Sequence, residues 1–196
     1  MITPEKQISS QHIFDGNVVQ LFFDEVALPN GKTATREVVR HKGAVAVLAI
    51  TPDDKIVLVE QFRYPCNRVL LEIPAGKLDV AGENPEQCAV RELAEETPYT
   101  CDTVDLIYTF YTSAGFSDEK LYLYQAKNLN RNSTLKPDED EWLELRELSK
   151  DEAQKALQNG EIADVKTIVA VQYWLLKDIQ AAWKSKNACF FNKNKR

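Results

Sequence analysis

The sequence predicts an α+β fold in which helices pack on a mixed sheet, and three features of the chain predict it. Apolar, β-branched runs broken by turn residues fill much of the first 75 positions. One strongly capped helix follows over 84–97, and strand-like runs then resume before two closing helices. A doubly wound fold would alternate strands and helices throughout, and this chain does not.

The elements follow in chain order. Asn17 to Leu28 (NVVQLFFDEVAL) is apolar with β-branched and aromatic residues, which favours a strand. Pro29-Asn30-Gly31-Lys32 is a hairpin turn, Asn-Gly being the strongest short signal for one, and Thr35 to His41 is its return strand. These first residues, 1–42, form a small antiparallel β annex to a main domain over 43–184. Within that domain, Ala44 to Thr51 (AVAVLAIT) is short and apolar enough for a buried strand. Pro52-Asp53-Asp54 breaks it, and Lys55 to Phe62 alternates like a strand with one buried face. Leu70 to Ile73 adds another short strand.

The helix over 84–97 has the clearest local signals. Asn84 caps it, Pro85 suits its first position and Gln87 completes a capping box. Cys88, Ala89, Leu93 and Ala94 face inward, and Pro98 forces the end at Glu96 or Thr97. Val104 to Tyr111, Lys120 to Ala126 and Trp142 to Glu147 have strand character. A short helix runs from Ser149 or Lys150 to Gln158, stopped by Asn159-Gly160. Asp164 then caps a last helix whose apolar positions, Ile168, Val171, Trp174 and Leu175 among them, recur at helical spacing.

Composition narrows the function. The 196 residues hold 24 Lys+Arg against 30 Asp+Glu, a net charge of −6. Lys184, Lys186, Lys193, Lys195 and Arg196 lie in a terminal stretch without an acid, so the body is more acidic still. An acidic body is a poor nucleic-acid binder, and the basic stretch at 185–196 reads as a solvated, disordered tail. No apolar run is long enough to span a membrane, and the start lacks the basic and apolar regions of a signal peptide. A cytoplasmic protein is therefore expected. Cys66, Cys88, Cys101 and Cys189 lack CxxC spacing, and with only His12 and His41 a His/Cys metal centre is poorly supplied. The cysteines read as reduced thiols that mostly pack as small hydrophobes.

The chemistry lies in Gly76 to Tyr99, GKLDVAGENPEQCAVRELAEETPY. Glu92, Glu95 and Glu96 stand at i, i+3 and i+4 and project from one helix face. Like charges at that spacing repel by a few tenths of a kcal/mol per pair, and the last helical turn disfavours anions. Arg91 can neutralise one of them, Glu95 at i+4 being placed for it. Two explanations stand side by side: a solvated acidic face, or a site for a hard divalent cation with oxygen ligands.

The flanking residues carry a resemblance. In the Nudix box a Gly is followed by five residues, a Glu, seven residues, then Arg-Glu-aliphatic-x-Glu-Glu-x-Gly. Here Gly76, Glu83, Arg91, Glu92, Leu93, Glu95 and Glu96 take those places. The chain resembles Nudix hydrolases, and within them bacterial ADP-ribose pyrophosphatases. REVVRHKGAVAVLAI, VEQFRYP, EIPAGKLD, FYTSAGFSDE and PDEDEW look like that group's recurring segments. Three positions depart from it: six residues separate Gly76 from Glu83, Pro98 replaces the closing Gly, and Ala114 stands where the group usually has Pro.

The resemblance implies a Nudix-like α/β/α sandwich and Mg²⁺-dependent hydrolysis of the diphosphate of ADP-ribose, giving AMP and ribose 5-phosphate. Another nucleoside diphosphate sugar is the alternative substrate, and a non-catalytic ADP-ribose-binding module the alternative role. It implies Glu92, Glu96, Glu95 and the Ala75 carbonyl as ligands of Mg²⁺, with Mn²⁺ as the other metal. Gly76, Glu83 and Arg91 would hold the loop–helix geometry. It places Arg63 on the diphosphate and Arg36 and Glu37 near the adenosine; a structural ion pair between Arg63 and Glu72, the latter also counted with the substrate-binding residues, is the compatible alternative for Arg63. Glu139, with Glu141 behind it, is the implied base in the acidic loop 136–141, and Glu95 is implied to share the catalytic work. It also implies a homodimer formed through the annex. Phe14, Phe22 and Phe23 are expected in core or dimer packing, and His41 in a structural role.

Overall fold

The computed structural model describes residues 3–137 and 142–177. Three sheets organise them. The first is antiparallel and joins β1 (Lys6–Asp15), β2 (Val19–Ala27) and β3 (Thr33–His41) in that order. The expected hairpin is there: Gly31 N–H donates to Leu28 O at 3.0 Å and Leu28 N–H to Lys32 O at 2.8 Å.

The extra strand β1 is a difference from the sequence reading. All ten of its residues are exposed, and its register shifts between Gln7 and Ser9 and between His12 and Phe14. Those irregularities break the period-two pattern by which a strand is recognised, so pairing with β2 alone defines it. Phe14 and Phe23 are also exposed, which excludes them from the core of this chain, whereas Phe22 stacks on His12 at 4.7 Å.

Two further sheets form the body. One is antiparallel, in the order β10 (Leu143–Leu148), β5 (Ile56–Arg63), β6 (Arg68–Glu72). The other is mixed, in the order β7 (Ala75–Lys77), β4 (Ala44–Leu48), β9 (Lys120–Lys127), β8 (Thr103–Tyr111). Strands β4 and β9 run parallel, and their neighbours antiparallel. β7 was not anticipated, because three residues carry no periodic signal.

Every residue of β4 is buried, and its two faces serve two cores. Val45 and Val47 pack with Cys88, Ala89 and Leu93 of α1 (Pro85–Glu96). Ala46 and Leu48 pack with Val171 and Trp174 of α3, which covers 165–177. The mixed sheet is thus the middle layer of an α/β/α sandwich. A shorter helix, α2 (Lys150–Gln158), adds Ala153 and Ala156 to the α3 side. The expected capping box joins Asn84 with Gln87, and a second joins Ser149 with Glu152. Asp164 caps α3 by accepting from Thr167 N–H at 3.0 Å.

The first sheet docks on the body through its last strand. Val39 N–H donates to Phe116 O at 2.8 Å, and Arg40 pairs with Asp118 at 3.0 Å. No helix among the described residues is long and apolar enough to cross a membrane.

Candidate active site

The site is built on β7, the loop after it and α1. β7 pairs with β4, Val45 opposite Gly76, and so fixes a short backbone segment beside α1. The loop carries one residue more than the family pattern, and a turn absorbs it. Glu83 N–H donates to Val80 O at 3.2 Å, with Gly82 at φ +84°. Glycine takes that left-handed conformation without strain, so the insertion leaves the helix start in place.

Burial of Cys88, Ala89 and Leu93 sets the rotation of α1 and turns Glu92 and Glu96 toward β7. Both glutamates are largely buried, at 9% and 8% exposure. Glu96 Oε2 accepts from Ala75 N–H at 3.1 Å. A Cβ at Gly76 would lie 1.9 Å from Glu92 Cδ, so the glycine is there for close approach.

Arg91 does more than the sequence reading allowed. It forks Glu83 at 2.8 and 2.9 Å, and its Nη1 reaches Glu92 Oε1 at 2.8 Å and Glu95 Oε2 at 2.7 Å. One guanidinium therefore serves two of the three clustered glutamates, not one, and Glu83 besides, because its planar donors can address several acceptors together. Glu83, the largest contributor, keeps Arg91 firmly protonated despite partial burial, and Arg91 in turn lowers the Glu83 pKa. Among the described residues no three His, Cys, Asp or Glu side chains form a ready metal cage. Glu83, Glu92 and Glu95 lean on Arg91 while Glu96 takes the Ala75 amide.

A cavity of about 490 Å³ is lined in part by Ala75 and Gly76. Arg63, Glu72 and Lys166 contribute to its wall, as do His41 and Glu119. Glu72 is only 2% exposed. Arg63 forks it at 2.7 and 2.8 Å, and Lys166 donates to Oε2 while also pairing with Asp164 at 3.1 Å. Burial pushes the Glu72 pKa up, but Arg63 and Lys166 outweigh it and hold the carboxyl below its usual range.

A folded-state pKa below the unfolded one gives stability that is present above the unfolded value and lost as pH falls through the folded value. Melting temperature should therefore fall more steeply in wild type than in Glu72→Gln as pH drops from about 7 to below about 4. Parallel melting curves across that window would show that the ion cluster adds no pH-dependent stability.

The structure thus gathers Arg63, Glu72, Ala75 and Gly76 at one cavity, with Glu92 and Glu96 directly against its β7 residues. Arg36 and Glu37 are not among the residues lining it; Arg36 instead forks Glu5, with Nε to Oε2 at 3.0 Å. Glu139 and Glu141 lie outside the described residues, as does Cys189.

Lys166 was missed because an isolated lysine in a helical repeat gives no sign that it will meet a buried glutamate 94 residues away. His41 does have a structural role, its Nδ1 accepting from Gly43 N–H at 3.0 Å, but it also faces the cavity. Cys66 is exposed rather than packed. Cys88 is buried, and desolvation, helped by the Glu92 charge, pushes its thiol up to about 12, so it is an inert packing group.

Comparison with known proteins agrees with this geometry. The model of the NUDIX domain family matches residues 40–168. A methanol dehydrogenase activator from Bacillus methanolicus is 50% identical over 175 residues, covering 89% of this chain and 94% of that protein. An ADP-ribose pyrophosphatase from Bacillus subtilis (strain 168) is 46% identical over 181 residues, covering 92% and 97%. A solved structure of an ADP compounds hydrolase superposes with a TM-score of 0.79 at 16% identity, covering 93% of this chain and 97% of its own, which shows a shared fold. With its box residues assembled on β7 and α1, the chain belongs to the Nudix hydrolase family.

Proposed function

We propose that this Nudix pyrophosphohydrolase cleaves ADP-ribose with a divalent cation, adding water across the diphosphate to release AMP and ribose 5-phosphate. The observation that carries the reading is the placement of Glu92 and Glu96 against the Ala75–Gly76 backbone, beside the cavity that Arg63 lines. The Bacillus subtilis ADP-ribose pyrophosphatase supports the substrate.

The donor set suits a hard cation, being all oxygen, and Gly76 leaves the space that lets a carboxylate sit against backbone. Glu92, Glu96 and Glu95, with the Ala75 carbonyl, would hold Mg²⁺, or Mn²⁺ in its place. When bound, the ion supplies Lewis-acid polarisation of the diphosphate. Arg63 binds the diphosphate through donors not spent on Glu72, and Glu72 keeps that guanidinium aimed at the cavity. Gly76, Glu83 and Arg91 orient the carboxylates. Glu139 acts as base, with Glu141 behind it. Arg36 and Glu37 reach adenosine across a homodimer formed by the annex, residues 1–42, whose Ile8, Ile13 and Phe14 are exposed. The main domain spans 43–184 and the tail 185–196. The cytoplasm is its proposed location.

The test incubates the protein with ADP-ribose and a panel of nucleoside diphosphate sugars, with Mg²⁺ or EDTA, and separates products by chromatography. AMP from ADP-ribose, lost with EDTA, is expected. Cleavage of only another panel member would replace the substrate, and binding without turnover would replace the enzyme with a sensor.

A second reading is favoured by the 50% identity to the methanol dehydrogenase activator: hydrolysis coupled to activation of a dehydrogenase. Methanol dehydrogenase assayed with and without this protein separates the two.

A further inference from the structure

α1 ends at Glu96 with Thr97 as an extended cap, so its last carbonyls have no partner inside the helix. Commonly the N–H of the residue after the cap closes back on the carbonyl four residues earlier, which here would pair residue 98 with Ala94 O. Residue 98 is proline and has no N–H. Ala94 is buried, so water is a poor substitute partner for that carbonyl.

A distant residue fills the gap. Ser133 Oγ donates to Ala94 O, and Ser133 N–H donates to Pro98 O at 3.0 Å. The same hydroxyl accepts from Leu135 N–H at 3.3 Å, which fixes its orientation. The carbonyl one turn position earlier, Leu93 O, is served locally by Thr97 N–H and Thr97 Oγ1. Ser133 therefore stands in for one missing hydrogen bond, and Glu95 and Glu96 lie between the two carbonyls it engages, those of Ala94 and Pro98.

We propose that Ser133 is a positioning residue: its hydroxyl supplies the hydrogen bond Pro98 cannot make, and so fixes the turn that presents Glu95 and Glu96 to a divalent cation. The role rests on the reading that these glutamates hold such an ion.

The segment carrying Ser133 is anchored independently. Thr100 and Asn130 exchange backbone hydrogen bonds at 2.8 and 2.9 Å, and Thr100 Oγ1 donates to Asn132. Arg131 lies over the Tyr99 ring at 5.4 Å and pairs with Glu147 at 3.1 Å. Removing one hydroxyl should leave the segment in place and free only the helix end.

The experiment compares wild type with Ser133→Ala, Ser133→Thr, Pro98→Ala and the Pro98→Ala/Ser133→Ala double variant. Free Mn²⁺ is measured by electron paramagnetic resonance, and kcat and KM for ADP-ribose are measured alongside. Outer residues that orient metal ligands typically alter affinity by 10–100-fold, so Ser133→Ala should weaken Mn²⁺ binding roughly tenfold. Its kcat should fall while KM stays within about twofold, and Ser133→Thr, which keeps the hydroxyl, should recover wild-type binding. Pro98→Ala restores an N–H to residue 98, so the double variant should bind Mn²⁺ within about threefold of Pro98→Ala. Should Ser133→Ala fail to fold, recovery of folding and binding in the double variant supports the pairing, and no recovery overturns it. Wild-type Mn²⁺ affinity in Ser133→Ala, or an undiminished loss in the Pro98→Ala background, also overturns it. Mn²⁺ binding needs no substrate, so a wild-type protein inert toward ADP-ribose would overturn the substrate reading and leave this comparison decisive.

Discussion

If Glu96 holds the proposed cation, Glu96→Gln should lower kcat on the order of 10³-fold without unfolding the protein, because such an ion would supply several kcal/mol of transition-state charge stabilisation. Gln keeps the shape of Glu96, and its amide oxygen can still accept from Ala75 N–H, the bond now 3.1 Å long. What it removes is the charge. Glu96 stands four residues from Glu92 in the last turn of α1, where like charges and the helix dipole both oppose an anion. Neutralising it relieves those repulsions, so melting temperature without metal should stay level or rise slightly. A purely architectural glutamate would show the opposite pairing, a lower melting temperature with catalysis preserved. Steady-state kinetics at saturating Mg²⁺ beside a metal-free melt therefore separate the roles. Retained kcat in the variant would reduce the cluster to a solvated acidic helix face.

What the sequence made legible follows from how local each signal is. The Asn84/Gln87 cap was readable because it involves residues three apart. The Asn30-Gly31 hairpin and the fully apolar β4 were readable for the same reason. β1 was not, since its exposed, bulged strand has no buried face to impose a pattern on its residues.

The site divides in the same way. Glu92, Glu95 and Glu96 share a helix face by helical arithmetic alone. The reach of Arg91 to three carboxylates depends on where the loop returns Glu83, and the Lys166–Glu72 contact on the fold bringing the start of α3 to the end of β6. Ser133 is the extreme case. Pro98 announced that the helix must end differently, but only the fold brings a hydroxyl to the carbonyl that proline leaves unserved.

Gly76→Ala offers the sharpest test of how the carboxylates are placed. An added Cβ would lie 1.9 Å from Glu92 Cδ, 2.0 Å from Oε1 and 2.4 Å from Cγ, so one of the two residues must move. Gly76 does not occupy the left-handed region, so the backbone itself tolerates alanine, and the strain passes to Glu92. That side chain is held by Arg91 at 2.8 Å, and its helix is fixed by Cys88, Ala89 and Leu93 in the core. The expected result is a folded protein destabilised by about 1–3 kcal/mol, the usual cost of local overpacking. Activity should fall about 10²-fold, since a displacement near 1 Å at a catalytic group can cost that much.

Gly82→Ala provides the contrast. Nothing lies within 4 Å of its added Cβ, but its φ of +84° disfavours a side chain. That variant should lose about 1–2 kcal/mol of stability and keep its turnover, because the strain stays in the loop turn. Melting curves and kcat measured on both variants resolve the two glycines. Equal turnover in Gly76→Ala and wild type would mean that close approach at β7 does not set the position of Glu92.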